Sequence, residues 1–256
     1  MDLSSLLGPL VAIGMLIGGM IAKHAADLIP QIAYNPPSVL IVIGGTFGAL
    51  MVAYPLPDFL NAFKALGTFF KNPGTDRNQI LEQIIDLAQV ARKESILALE
   101  KKREEITFEP LKNAVKMAVD GTDPHVLTET MENEAHFQME EGEVFVKFWE
   151  DFGAIAPTIG ILGAVIGLMK VMNVLDQPEL IGPGISVAFV ATLYGVGLAN
   201  IFGIPIGKKL KRKLILQNYA YEMVIIGVEG ILSGLNPKII EEKLKIYTNG
   251  SGSEEG

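Results

Sequence analysis

Hydroxyls and prolines, not acids, stand among the apolar residues of the C-terminal half of this 256-residue sequence. The stretches Phe152–Met172 and Gly182–Gly207 contain no Asp or Glu, yet the first carries Pro157 and Thr158 and the second Ser186, Thr192 and Pro205. Inside an apolar helix, such residues free or engage backbone hydrogen bonds, which matters beside a polar path or a partner helix. An ion path through a bilayer normally uses a titratable side chain, so these stretches read as part of a path whose carboxylate belongs to another chain. The other candidates for chemistry are weak. His24, His125 and His136 have no metal-ligand spacing and read as surface or interface histidines. There is no cysteine, hence no disulfide framework and no thiolate metal site. Gly203-x-x-x-Gly207-Lys208-Lys209 is one residue short of a phosphate-binding loop and ends without Ser or Thr, and Gly195-x-Gly197 lacks a third glycine and a preceding strand. No nucleophile is paired with a base. The expectation is a protein that is not an enzyme and has no cofactor, no metal and no nucleic-acid partner.

The two stretches are each long enough to cross a bilayer, which takes about 20 residues. Two more apolar spans, Leu3–Ala22 and Ser38–Tyr54, lie near the N-terminus. Asp2 precedes the first and no base does, so it lacks the basic region of a cleavable signal and is expected to be retained. Half of the residues (49%) are hydrophobic and 20% are charged, so the two classes must be segregated along the chain. The predicted fold is all-α: a polytopic membrane protein with four transmembrane helices and a helical cytoplasmic domain between helices two and three. The predicted divisions are residues 1–54 (helices one and two), 55–151 (cytoplasmic domain), 152–207 (helices three and four) and 208–256 (a C-terminal helix and a disordered tail from Asn249). Of 21 Lys and Arg, eleven lie in Pro55–Asp151 and eight follow Gly207, leaving Lys23 and Lys170 at span edges. Cytoplasmic loops hold the excess of these residues, which places both long polar segments and both termini in the cytoplasm.

Within Pro55–Asp151, acids outnumber bases 19 to 11. Apolar residues from Ile80 to Leu99 recur at helical spacing and predict one helix over Gln79–Lys102, with Thr75 or Asp76 as its cap. A second helix is predicted over Glu109–Val119, stopping at Asp120-Gly121. A third begins near Asp123-Pro124 and, with no proline from Val126 to Ala156, runs straight into span three. Glycines one turn apart at Gly14 and Gly18, Gly44 and Gly48, and Gly163 and Gly167 make smooth helix faces. Such faces serve tight packing within one subunit or against a partner. Ala156, Gly160 and Ala164 extend the third.

Five stretches carry a family likeness: Leu40-Ile41-Val42-Ile43-Gly44-Gly45-Thr46, Ala91-Arg92-Lys93-Glu94-Ser95-Ile96-Leu97-Ala98-Leu99-Glu100, Ala156-Pro157-Thr158-Ile159-Gly160, Asp176-Gln177-Pro178, and Ala191-Thr192-Leu193-Tyr194-Gly195. By these the chain resembles the MotA/PomA family, the membrane ring subunits of the bacterial flagellar stator. The resemblance implies a homo-pentamer in the inner membrane around two copies of MotB, whose aspartate would bind the ion. It implies an ion path past Thr192, Thr158 and Ala164, conformational switching at Pro157 and Pro205, and contact with the rotor protein FliG through Arg92, Lys93 and Glu100. On one continuous helix Lys93 and Glu100, seven residues apart, would differ by −20° and share a face. Thr192 matches a hydroxyl associated with sodium, but Ala164 stands where sodium-driven relatives place another. Losing an oxygen ligand disfavours a partly dehydrated cation, so protons are the expected ion and sodium the alternative. An ExbB- or TolQ-type subunit energising envelope transport is the other alternative, which the paired N-terminal spans and the Arg92–Glu100 stretch oppose.

Overall fold

A computed structural model describes residues 3–70 and 76–248, and all the regular structure among them is helical. We number the helices α1 (Leu3–Ala22), α2 (Leu28–Ala33), α3 (Pro36–Ala53), α4 (Leu56–Phe70), α5 (Arg77–Lys93), α6 (Glu109–Val119), α7 (Pro124–Met172), α8 (Pro178–Leu232) and α9 (Pro237–Thr248). Four of them, α1, α3, α7 and α8, are long and apolar enough to span a membrane. The described parts of residues 1–72 and 143–211 form one compact unit, and those of 73–142 and 212–256 form another.

In the first unit, α3 starts where Pro36 and Pro37 fill the first turn, whose N–H groups have no helical acceptor. The Asn35 side chain accepts the Ser38 N–H at 3.2 Å. A π-helical turn, Leu40–Gly44, widens α3, and Thr46 donates to the Val42 carbonyl at 2.6 Å. Helix α4 was not among the helices expected from the sequence. It is held by a cluster of rings, Phe47, Tyr54, Phe59, Phe63, Phe148, Trp149 and Phe152, whose contacting centroids lie 5.3 to 6.2 Å apart, mostly edge to face. The Trp149 indole donates to the Ala62 carbonyl at 3.2 Å. Helix α1 is the loosest member, with only 6% of its apolar window covered by the rest of the chain.

In the second unit, α5, α6 and α9 close with the flanking parts of α7 and α8 around Ile84, Leu111, Leu127, Met131, Val224 and Leu244. Asp76 caps α5, its carboxylate accepting the N–H groups of Asn78 at 2.9 Å and Gln79 at 3.4 Å. Thr75 and the tail from Asn249 lie outside the described residues. Helix α6 ends before Gly121, whose φ of +78° is the left-handed conformation that glycine adopts without strain. Helix α7 runs unbroken from Pro124 to Met172.

One expectation is corrected. The predicted helix over Gln79–Lys102 breaks: α5 ends at Lys93, Ser95 is fully extended (φ 176°, ψ 169°), and Ile96–Glu105 forms a separate 3₁₀ segment. The break lets Leu99 turn into the core, where it is fully buried. Lys93 and Glu100 therefore sit on different elements, and the −20° relation does not hold.

Candidate functional site

The inner spans α7 and α8 meet backbone against backbone. A Cβ added at Gly195 would lie 2.6 Å from the Ala156 carbonyl oxygen and 3.1 Å from the Cα atoms of Gly160 and Pro157. One added at Gly160 would lie 2.9 Å from the Ala191 oxygen and 3.4 Å from the Cα of Thr192. The contact continues along both helices, with Gly167 against Ala188 and Gly203 against Gly153. Glycine is required here by the approach itself. The signal was present on α8 as well as α7: Gly184, Ala188, Ala191, Gly195, Ala199, Gly203 and Gly207 recur every three or four residues.

This crossing sorts the expected path residues. Thr192 is half-buried beside Gly160, and its hydroxyl donates to the Ala188 carbonyl at 3.1 Å, leaving its lone pairs as acceptors. Ala164, half-buried, follows Gly160 by one turn and lies 40° around the helix from it. Thr158 is not brought to that face. It lies 200° from Gly160, is exposed, and donates to the Ile155 carbonyl at 2.7 Å. Pro157 sits in the crossing itself, against Gly195. Pro205 lies in α8 two residues after a π-helical turn, Leu198–Gly203, which the Ile204 N–H closes by reaching back five residues to the Ala199 carbonyl. A wider turn there accommodates a ring that would clash with the carbonyl four residues before it.

Polar anchors that the sequence reading missed surround the crossing. The Tyr194 hydroxyl donates to the Ile32 carbonyl, and Ser38 to the Val187 carbonyl at 3.1 Å, tying α2 and α3 to α8. Tyr54 donates to Asp151 at 2.6 Å. Lone Tyr and Ser residues have no spacing that would announce such bonds.

The candidate rotor face lies in the second unit. Arg92 and Lys93 end α5, exposed, and Leu97 projects from the next segment with 69% of its surface exposed. Glu100 is exposed and ion-paired with Arg103 at 2.8 Å, an i,i+3 pair that the threefold 3₁₀ repeat stacks directly. Nearby, Lys102 bridges Glu105 at 3.1 Å and Asp86 at 3.3 Å. Hydrogen bonds from Lys102 to Glu105 and then to Asp86 raise its pKa and keep the ammonium charged. The segment presents charges of both signs around one exposed leucine.

Fold and site together define an all-helical, multi-pass membrane protein with an inserted polar domain and an acid-free, glycine-lined pair of inner spans. Residues 99–223 match the MotA/TolQ/ExbB proton channel family, and residues 6–95 match the motility protein A N-terminal family. Motility protein A of Bacillus subtilis is 35% identical over 96% of this chain and 91% of its own length. The solved structure of C. jejuni MotAB superposes with a TM-score of 0.91 at 32% identity, covering 100% of this chain and 98% of the other. The flagellar MotAB stator complex from Bacillus subtilis gives 0.87 at 33% identity, covering 98% and 100%. The chain belongs to the MotA/TolQ/ExbB proton channel family, on its motility protein A branch.

Proposed function

We propose that this chain is the ring subunit of a flagellar stator that converts proton flow into torque. Five copies surround two copies of MotB in the bacterial inner membrane, with both termini in the cytoplasm. The observation that carries the reading is the acid-free crossing of α7 and α8. It places a half-buried hydroxyl, Thr192, beside a smooth glycine face and leaves the proton-binding carboxylate to come from a partner. An acid-free pair of spans cannot relay protons alone, but it can bound a path along a MotB helix that carries the acid.

Two further features support the assembly. Adding a Cβ at Gly14, Gly18, Gly44 or Gly48 would meet no atom within 4 Å, so these smooth faces of α1 and α3 are unused within the chain and available to neighbouring copies. Arg92, Lys93 and Glu100 are exposed, as contact with FliG requires. Protons are favoured over sodium because Ala164 brings no oxygen to the side of α7 that Thr192 borders. No catalytic role is assigned to any residue.

The test is swimming in a stator-less bacterial host expressing this chain, with and without a compatible MotB, in sodium-free and sodium-containing media. MotB-dependent swimming without sodium is expected. Swimming only with sodium would overturn the ion assignment. Absence of swimming despite membrane insertion and assembly with MotB would overturn the stator assignment in favour of an ExbB- or TolQ-type role.

A further inference from the structure

The fourth span runs on into Lys208-Lys209-Leu210-Lys211-Arg212-Lys213, five bases in six helical positions. Neither the ion path nor the rotor face uses them. Lys208 and Lys211 differ by −60° around the helix. Both are exposed, whereas Ile206 and Leu210 on the opposite side are buried. Among the described residues neither Lys208 nor Lys211 forms an ion pair. Glu150 packs on Gly207 in this part of α8.

Lys209 fixes the depth of the patch. Its ammonium donates to the Ser4 hydroxyl at 2.7 Å and lies 5.4 Å from the centre of the Phe69 ring, while Ser5 donates to the Phe69 carbonyl at 3.1 Å. The start of α1, the end of α4 and the end of the fourth span thus meet at one level. Helix α4 identifies that level. Leu56, Leu60, Phe63 and Phe70 lie within 80° of arc on it and are exposed, and Asp58, Asn61, Lys64 and Thr68 take the other side. An amphipathic helix with an exposed apolar face beside membrane spans lies in the interface, its apolar side in the acyl region and its polar side among headgroups.

We propose that Lys208 and Lys211, with Lys209 behind them, form a binding site for the phosphate of an anionic phospholipid headgroup. At this level the anion present in quantity is lipid phosphate, and bases immediately beyond a span are where a negatively charged leaflet is bound. The site needs only that the fourth span crosses a bilayer. It is independent of which ion is carried and of the rotor contact.

The test uses the full chain purified with its MotB partner in nanodiscs of equal phosphatidylglycerol and phosphatidylcholine, with retained lipids counted by native mass spectrometry. Wild-type protein is expected to retain phosphatidylglycerol in preference. Lys208→Gln with Lys211→Gln should weaken that retention roughly 25-fold, about fivefold per charge, and Lys208→Arg with Lys211→Arg should preserve it. The exposed pair Lys238→Gln with Lys243→Gln, which removes the same charge from α9, should leave it unchanged. Equal retention of the two lipids by wild-type protein overturns the proposal even if the glutamine variant fails to assemble. So does unaltered retention in that variant, or an equal loss in the α9 control.

Discussion

Gly195→Ala is the smallest change that tests whether α7 and α8 meet through their backbones. The added methyl would lie 2.6 Å from the Ala156 oxygen and 3.1 Å from two Cα atoms, against an ordinary contact of 3.4 Å or more. None of these three atoms can rotate away, because each is main chain. The helices must part by roughly 0.3–0.8 Å locally, or α7 must slide, and packing at the Gly160, Gly167 and Gly203 contacts loosens with it. Overpacking of this kind costs about 1–3 kcal/mol. At roughly 4–8 °C per kcal/mol for a small domain, and half that for a chain of this length, a fall of several degrees in the melting temperature of the purified complex is expected. Swimming speed should fall with it. Gly14→Ala, on a face with nothing within 4 Å in the chain, should leave the fold of the isolated subunit intact and, by replacing glycine in a helix, favour it slightly. A Gly195→Ala protein as stable as wild type, with normal motility, would refute the direct backbone crossing.

Charge reversal at Arg92 or Glu100 should reduce torque in a tethered-cell assay while complex assembly, read by co-purification of MotB, stays intact. Because Glu100 already pairs with Arg103, Glu100→Lys must break an intrachain ion pair, worth little at an exposed site. Unaltered torque in Arg92→Glu with Glu100→Lys would mean that the face is only solvated. A separate alkaline transition is expected in the polar unit. Burial, and then the nearby Glu134 carboxylate, push the Tyr221 hydroxyl up to about 12 from an ordinary 10.0. The folded state thus favours the neutral phenol. Its contribution is fully present below pH 10 and is lost as the pH rises from about 10 to about 12. Tyr247 is raised in the same direction, first by burial and then by its hydrogen bond to Glu222. Tyr221→Phe should move the midpoint of alkaline unfolding upward. A midpoint that stays in place would show that Tyr221 carries none of the transition.

The four spans were legible because twenty apolar residues without a charge have few other fates. The long helix α7 was legible for a similar reason, since nothing between Val126 and Ala156 interrupts it. The break at Ser95 was not, because apolar spacing continues across it from Ile84 to Leu99 and only the packing of Leu99 reveals the turn. The glycine pairs illustrate the same limit. Gly163 and Gly167 pack inside the chain while Gly14, Gly18, Gly44 and Gly48 face open space, and the three motifs read alike. A small-residue face specifies that something can approach closely and carries no information about what does. The candidate path residues were suggested by resemblance, and the geometry separates them: Thr192 and Ala164 flank the crossing, whereas Thr158 is exposed on another side of α7.

The backbone gaps left by the two prolines lie close together. Pro157 offers no N–H to the carbonyl of Gly153, four residues earlier in α7, and Pro205 offers none to that of Ile201 in α8. A Cβ on Gly203 would lie 2.9 Å from both the N and Cα of Gly153, and one on Gly153 would lie 3.1 Å from the Ile204 nitrogen. The freed carbonyl of α7 thus sits in the residue that abuts the π-helical end of α8, one residue before Ile204-Pro205. Helices bend where their hydrogen-bond ladder is interrupted, and here the interruptions lie near each other at the close approach of Gly153 and Gly203, flanked by the Phe152 and Ile204 side chains. If the two act as one hinge, Pro157→Ala and Pro205→Ala will not be additive. A double-mutant cycle on the thermal stability of the complex should give a coupling of about 0.5–3 kcal/mol, as for residues sharing a backbone contact. Additivity within about 0.5 kcal/mol would mean that each proline bends its own helix alone.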